Sequence, residues 1–161
     1  MDWGPFLVCP PELRPESPRS LNAPGGVGDR LRTAAFAEIQ ARQAFLWAAE
    51  RLEDAPPACR DQWRRLAEAE DRHLAWLLRR MQELKVDVGE RPVSQRLWLS
   101  LVSRATAREF AQFMAAAEQR GRDAGLIFQQ ALAGSDPVTA EMFGKIADEE
   151  LAHIALARRF F

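Results

Sequence analysis

Each of the two histidines in this chain follows a glutamate by three residues, and both Glu-x-x-His motifs lie equally far from a lone upstream glutamate. The step from lone glutamate to motif is 32 residues in both sets, and the sets are offset by 80 residues. The two sets are Glu38, Glu70, His73 and Glu118, Glu150, His153. Residues i and i+3 share one helix face, so each motif would present a carboxylate and an imidazole together. The repeat therefore favours two similar helical hairpins.

The amino-acid composition changes near residue 28 and divides the chain into two parts. Residues 1–28 end in three closely spaced glycines and contain Pro5, Pro10, Pro11, Pro15, Pro18 and Pro24. Proline lacks a backbone N–H and interrupts helices, so we expect an extended Pro/Gly-rich arm here. Residues 29–161 are rich in Ala, Leu, Arg, Glu and Gln, which favour helix. We expect this second part to be a single all-α domain.

Four long helices and one short helix are predicted within the second part. The long helices span about 29–52, 56–84, 106–133 and 137–159, and the short helix lies within 94–103. A few residues join the members of each pair of long helices, so each pair should form an antiparallel hairpin. A longer crossover that contains the short helix joins the hairpins. This connectivity predicts a ferritin-like four-helix bundle.

The spacing of the glutamates predicts that the candidate ligands lie at one height in the bundle. In an antiparallel hairpin, residues equally far before and after the turn lie side by side, because both helices rise equally per residue. The lone glutamate and the motif glutamate of each set flank their predicted turn in this way. We predict one dinuclear metal site with terminal Glu38 and His73 on one ion and terminal Glu118 and His153 on the other. Glu70 and Glu150 are expected to bridge the ions, and the alternative is that each binds the same ion as its own histidine.

The chemistry of these six side chains limits the metal. Four carboxylates buried together would repel one another and lose their hydration, and two divalent cations remove that cost. Mixed oxygen and imidazole ligation suits iron or manganese better than metals that prefer thiolate. We expect two Fe ions, with two Mn or a mixed Mn/Fe pair as alternatives. A single Glu-x-x-His motif is a weak signal, and the agreement of two sets carries the prediction.

The pattern constrains the neighbours of the ligands less strongly. Three polar residues are candidates for contact with the ligands, with solvent-exposed positions as the alternative: Asp123, Arg42 and Arg122. For the two arginines we favour the alternative, in which the side chain extends into solvent. Four acids near the motifs are expected to face solvent: Glu68, Asp71, Asp148 and Glu149. The apolar residues available to border a substrate pocket include Phe36, Phe45, Leu74, Phe113 and Leu126.

Several short segments together carry a family resemblance. They are Glu118-x-Arg120-Gly121-x-Asp123, Gly134-x-Asp136, Glu149-Glu150-x-x-His153 and Phe160, preceded by Trp63, Glu70-x-x-His73, Pro92 and Leu97-Trp98. With these segments the chain resembles an uncharacterised ferritin-like family of bacteria that is distantly similar to the MiaE-type tRNA hydroxylases. The resemblance covers roughly residues 29–161. It implies a ferritin-like bundle with a dinuclear, usually iron, carboxylate centre, and it implies no particular substrate.

Three functions are compatible with such a site. The first is an oxidase or hydroxylase that activates O2 and oxidises an unknown small-molecule or tRNA-type substrate. The second is an iron-oxidising or peroxide-detoxifying protein without an organic substrate. The third is a non-catalytic helical bundle that keeps a structural metal or none. We favour the first because the ligand set is complete and apolar residues are available for a pocket.

Charge and hydropathy argue against two classes of partner. The formal net charge is −1, and acids alternate with the arginines of the second predicted helix, so we expect a solvated face rather than a nucleic-acid surface. No apolar run approaches the roughly 18 residues that a membrane span requires.

The first residues lack the basic and apolar stretches of a signal peptide, so we expect a cytoplasmic protein. A homodimer through a helix face is also an expectation.

Overall fold

The computed structural model describes residues 2–161 as an all-α bundle. Its elements are α1 (Gly26–Arg51), α2 (Pro57–Glu83), the short α3 (Arg96–Val102), α4 (Ala107–Leu132) and α5 (Pro137–Phe160). The helix α1 packs along α2, and α4 packs along α5, whereas α1 and α4 touch at only a few places. The predicted all-α fold of two hairpins, joined by a crossover with a short helix, is confirmed.

Local sequence signals account for several helix starts. Thr106 precedes α4, and its hydroxyl accepts a hydrogen bond of 3.2 Å from the backbone N–H of Glu109. Asp136 precedes α5 in the same way and accepts from the backbone N–H of Thr139 at 3.1 Å. Pro57 occupies the first turn of α2, where its missing N–H leaves no helical bond unmade. These caps satisfy N–H groups that a helix cannot pair internally.

The helix α1 begins at Gly26, three residues before the predicted start at Asp29. The glycines at positions 25, 26 and 28 predicted an interruption of the helix, but Gly26 and Gly28 allow other segments to pack closely against it. A Cβ atom on Gly26 would overlap the carbonyl group of Ser20, and one on Gly28 would lie 3.0 Å from Cγ1 of Val86. Tertiary contact therefore overrides the low helix propensity of glycine at these positions.

The N-terminal segment, residues 2–25, packs against the bundle without forming a helix. Trp3 and Phe6 are buried, and their rings lie 5.5 Å and 5.0 Å from the ring of Phe36. Val8 pairs with Val93 of the crossover in a single parallel bridge, in which Cys9 N–H donates to the Val93 carbonyl at 2.9 Å. The segment thus covers one end of the first hairpin.

A buried carboxylate ties the N-terminal segment to the crossover. Asp29 of α1 is almost fully buried and accepts hydrogen bonds from Arg19 at 2.7 Å and Arg32 at 2.9 Å. Arg91 of the crossover contacts the same carboxylate. Hydrogen bonding from Arg19, with contributions from Arg91 and Arg32, holds the pKa of Asp29 well below its usual range. One side chain therefore links three segments of the chain.

The apolar core consists of two clusters separated along the bundle axis. On α1, Phe36 belongs to one cluster and Phe45 to the other. On α2, Trp63 and Leu77 are divided in the same way. Between the clusters lies a layer that contains buried polar residues, and this layer is the candidate site. Within residues 2–161, no helix is both long and apolar enough to cross a bilayer.

Candidate metal centre

Six acidic and imidazole side chains from four helices meet between the two apolar clusters. They are Glu38 of α1, Glu70 and His73 of α2, Glu118 of α4, and Glu150 and His153 of α5. Glu70 and His73 are fully buried, and Glu150, His153 and Glu118 are nearly so. Glu38 retains 12% side-chain exposure because it borders a cavity. The structure thus brings together all six residues that the sequence singled out.

The two imidazoles face the carboxylates through the same ring nitrogen. His73 Nδ1 lies 3.5 Å from Glu38 Oε2, 3.6 Å from Glu70 Oε2 and 3.4 Å from Glu150 Oε1. The ring centroids of His73 and His153 are 5.8 Å apart, and the ring planes differ by 18°. The nitrogen atoms therefore point into a shared space from near-parallel rings.

His153 approaches the opposite oxygen atoms of the same two central glutamates. Its Nδ1 lies 2.8 Å from Glu70 Oε1 and 3.2 Å from Glu150 Oε2. Glu70 and Glu150 thus each direct one oxygen toward each histidine. The candidate ligand atoms form two groups, one with Glu38 and His73 and one with Glu118 and His153, and both groups include Glu70 and Glu150. This is the arrangement that two bridging carboxylates require.

The hydrogen bonding of these atoms indicates what the cluster can hold. Both oxygens of Glu70, Oε2 of Glu150 and Nδ1 of both histidines are buried without a hydrogen bond of suitable angle, although His153 Nδ1 lies only 2.8 Å from Glu70 Oε1. Buried polar atoms in proteins nearly always have a partner. A divalent cation between the carboxylates and each imidazole would supply the interaction that these atoms lack. The residues present therefore fit a pair of cations.

Protons divide unequally among the six groups when no cation balances them. Burial raises the pKa of Glu38 and Glu118 well above the usual range. Burial opposes ionisation of Glu70 and Glu150 too, but the imidazoles outweigh it and the pKa of each is lowered.

The histidines hold their protons strongly in that state. Burial alone would lower their pKa values, but the facing carboxylates outweigh it. Glu150, Glu38 and Glu70 raise the pKa of His73 to about 12. Glu150 and Glu70 raise that of His153 to about 10. Cations entering the cluster must therefore displace protons from both imidazoles.

Glu149 is part of the site, although its position predicted exposure to solvent. Its Oε2 lies 3.0 Å from Nε2 of His73, on the side of the ring away from the other carboxylates. Arg72 contacts the same oxygen at 3.4 Å. A ligand histidine usually donates its second N–H to a carboxylate or carbonyl, which orients the ring. In the sequence, the two adjacent acids Glu149-Glu150 were the signal that could have pointed to Glu149. Its partner, His73, could be identified only from the contact between α2 and α5.

The three candidates for ligand contact lie elsewhere in the structure. Asp123 is exposed and accepts a hydrogen bond from Gln119 at 2.8 Å. Arg42 is 3.3 Å from the exposed carboxylate of Asp71. Arg122 lies 4.0 Å from Asp123. None of these hydrogen bonds or ion pairs joins the three residues to the six-residue cluster, and the polar partners of Asp123 and Arg42 lie at the surface, as in the alternative that we also considered.

A cavity of about 240 Å³ lies between α1, α4 and α5 and reaches three of the glutamates, Glu38, Glu118 and Glu150. Its wall is mostly apolar and contains many small residues: Ala34, Ala37, Ala41, Ala117, Gly121, Ala124 and Gly125. Larger apolar groups come from Leu97, Phe128, Phe143 and Ile146. The aromatic and aliphatic residues that we expected at a pocket do not line this one. Phe36, Phe45 and Leu74 instead belong to the buried core.

The chain belongs to the family described as "Protein of unknown function (DUF455)", which matches residues 7–161. No curated protein and no solved structure matches the chain. The expected resemblance to an uncharacterised family is therefore confirmed at that level. Any functional conclusion must come from the site itself.

Proposed function

We propose that the protein is a ferritin-like dinuclear metal protein that binds two iron ions, activates O2 and oxidises a small organic substrate. The observation that carries the proposal is the convergence of unpartnered buried atoms from Glu70, Glu150, His73 and His153. These atoms form two ligand groups that share two carboxylates. A bundle of this connectivity with this ligand set is typical of di-iron and di-manganese carboxylate proteins.

The donor atoms support iron or manganese. Four carboxylates supply oxygen and two imidazoles supply nitrogen, which suits these metals better than thiolate-preferring ones. The two cysteines, Cys9 and Cys59, do not belong to the cluster. A mixed Mn/Fe pair and a di-manganese pair are the alternatives to two Fe ions.

The residues would divide the work of such a centre. Glu70 and Glu150 would be ligands of both ions, Glu38 and His73 would be ligands of one, and Glu118 and His153 would be ligands of the other. Bound iron would supply the electrons that reduce O2. Glu38 and Glu118 border the cavity, so a bound substrate would meet the carboxylate side of the centre. The apolar wall would exclude water from that space.

The cavity favours a small molecule over tRNA as the substrate. Its volume is below the roughly 300–1,000 Å³ of pockets for drug-sized ligands. Three of the α2 arginines also have acidic partners, namely Arg64 with Asp61, Arg72 with Glu149 and Arg80 with Asp136. Pairing of this kind reduces the free positive charge available to phosphates.

Metal content per chain tests the proposal first. Protein expressed with ample iron should carry about two Fe or Mn ions per chain, as the duplicated ligand set requires. Glu70→Gln/Glu150→Gln should lose them, because the amides keep the size of the side chains and remove the bridging charges. The matched control is Glu68→Gln/Asp148→Asn, which alters two exposed acids located two residues before the same ligands. Metal-free wild-type protein, or a metal-loaded double variant, would contradict the proposal.

Reaction with O2 separates the proposed activity from its alternatives. Protein loaded anaerobically with Fe(II) should take up O2 and show a transient visible absorbance. Neither signal in a protein that holds two ions would leave a structural metal site. Iron loading far above two ions per chain, in a large assembly, would instead favour an iron-oxidising protein.

A further inference from the structure

The cavity runs along the seam between two antiparallel helices and has chemically different ends. One end is bordered by Glu38 of α1 and Glu118 of α4, which belong to the cluster. The other end is bordered by Arg30 of α1 and Phe128 of α4. Arg30 lies eight residues before Glu38, a distance of about 12 Å along a helix. Between the ends the wall is almost entirely apolar.

Arg30 is the cationic residue of this wall, and within residues 2–161 it has no acidic partner. Its guanidinium carbon lies 5.6 Å from the ring centre of Phe128. Its Nε is buried without a hydrogen-bond partner, and no described carboxylate lies within ion-pairing distance of the side chain. The contrast with Arg32, two residues away, is clear, because Arg32 pairs with both Asp29 and Glu90.

We propose that the cavity binds a small amphiphile whose anionic head group, a carboxylate, pairs with Arg30. The apolar body would then lie along the alanine-rich wall, and its far end would reach Glu38 and Glu118. The inference rests on the proposed function in that the end near the glutamates is the one to be oxidised. A guanidinium binds a carboxylate through two parallel hydrogen bonds, and the side chain of Arg30 lines the cavity.

The cavity also sets the size and charge of the ligand. The distance of about 12 Å between its ends suits a linear chain of roughly eight carbons or a single ring with a short side chain. A cationic molecule would face Arg30 without a counter-charge, and a neutral molecule would leave the charge of Arg30 without a partner. Octanoate is a suitable probe, and octan-1-ol is its neutral counterpart.

Binding of the two probes to the purified holoprotein under nitrogen, measured by calorimetry, tests this assignment. Octanoate should bind at least roughly tenfold more tightly than octan-1-ol, as expected for a charge-assisted pair. Arg30→Gln should remove this preference, and Arg30→Lys should restore part of it. Arg122→Gln is the matched control, because Arg122 also has a buried unpartnered Nε but does not line the cavity.

A cavity-filling variant shows whether the probe binds in this space. Gly121 lines the cavity, and a Cβ atom there would meet nothing within 4 Å. Gly121→Leu should therefore fold normally, keep its metal and lose octanoate binding. Unchanged binding in this variant would place the probe elsewhere and overturn the proposal.

The Glu70→Gln variant distinguishes failure of this inference from failure of the metal site, because Glu70 belongs to the cluster but does not line the cavity. If Arg30 holds the head group, Glu70→Gln should still prefer octanoate over octan-1-ol, and Arg30→Gln should not. If the carboxylate instead binds the metal, Arg30→Gln should keep this preference and Glu70→Gln should lose it, which would overturn the proposed orientation. Equal binding of octanoate and octan-1-ol, no binding of either, or equal losses in Arg30→Gln and Arg122→Gln would overturn it as well.

Discussion

The two hairpins present the same ligands at the same spacing, but their histidines have different surroundings. His73 of the first hairpin has the carboxylate of Glu149 at 3.0 Å from its outer nitrogen. The position that the repeat relates to Glu149 is Ala69, whose side chain cannot form a hydrogen bond. Within residues 2–161 the outer nitrogen of His153 has no comparable partner. The repeat has therefore duplicated the ligands but not the carboxylate that orients the histidine. We expect the two candidate metal positions to differ in affinity.

The attachment of the hairpins to the rest of the chain also differs. Asp29 of the first hairpin is a buried acid that binds arginines from the N-terminal segment and the crossover. The position 80 residues later is Glu109, an exposed acid that accepts a hydrogen bond from the backbone N–H of Ala105 at 3.0 Å. The first hairpin thus carries tertiary interactions where the second carries only a helix cap.

The largest expected effect is on metal content, and it distinguishes the glutamates that belong to both ligand groups from those that belong to one. Glu70→Gln alone, or Glu150→Gln alone, should reduce the metal content from about two ions per chain to nearly none, because each residue belongs to both ligand groups. Glu38→Gln or Glu118→Gln should leave about one ion, since each belongs to a single group. Elemental analysis of purified variants measures this. Equal metal contents in all four variants would show that the bridging assignment is wrong.

The next effect concerns stability and compares positions 29 and 109. Asp29→Ala should lower the free energy of unfolding by about 3–5 kcal/mol, because it breaks the buried ion pair with Arg32 and removes the carboxylate that Arg19 and Arg91 share. Glu109→Ala should cost only about 0.3–1.5 kcal/mol, the usual worth of a cap interaction. Urea denaturation measures both values. Similar costs at the two positions would contradict the difference proposed between the hairpins.

Lowering the pH should remove the stability that Asp29 contributes. The pKa of Asp29 is lowered in the folded protein, so its contribution to stability is present above the unfolded value near 3.9 and is lost as the pH falls through the folded value. The wild type should therefore lose stability on acidification below about pH 4 more steeply than Asp29→Ala. Denaturation at a series of pH values compares the two proteins.

A smaller effect is expected from Glu149, and it should fall on one ion only. Glu149→Gln weakens the partner of His73, so the ion at that position should bind about 10- to 100-fold more weakly, as for other carboxylates behind ligand histidines. The ion at His153 should keep its affinity. Stepwise titration with Mn(II), with Asp148→Asn as the exposed neighbouring control, resolves the two affinities. Equal weakening of both ions would show that Glu149 does not act through His73.

The smallest effect is the alkaline sensitivity of the metal-free protein. The pKa values of His73 and His153 are raised in the fold, so their stabilisation is fully present below pH about 6.5 and is lost as the pH rises through about 10 and about 12. His153 should lose its proton first. Melting temperatures of metal-free and metal-loaded protein between neutral pH and pH 10 measure this, and a loaded protein with the same decline would contradict it.

Much of the architecture follows from patterns within single hairpins. Helix periodicity, the proline and aspartate residues at helix starts, and equal distances to the turns suffice to place Glu38 level with Glu70 and Glu118 level with Glu150. These relations depend only on residues that are near in sequence or joined by a short turn. That is why the two hairpins and the common height of the six side chains could be predicted from the sequence.

Contacts between the hairpins depended on the tertiary structure, because helix rotation about its axis and the distance between axes are set by packing of the whole core. Packing decided that Glu149 meets His73 and that small residues rather than Phe36 border the cavity. Packing also decided that Gly26 and Gly28 belong to a helix. The sequence by itself determined which side chains lie at one height in the bundle. Only the tertiary structure decided which of them face one another and what surrounds them.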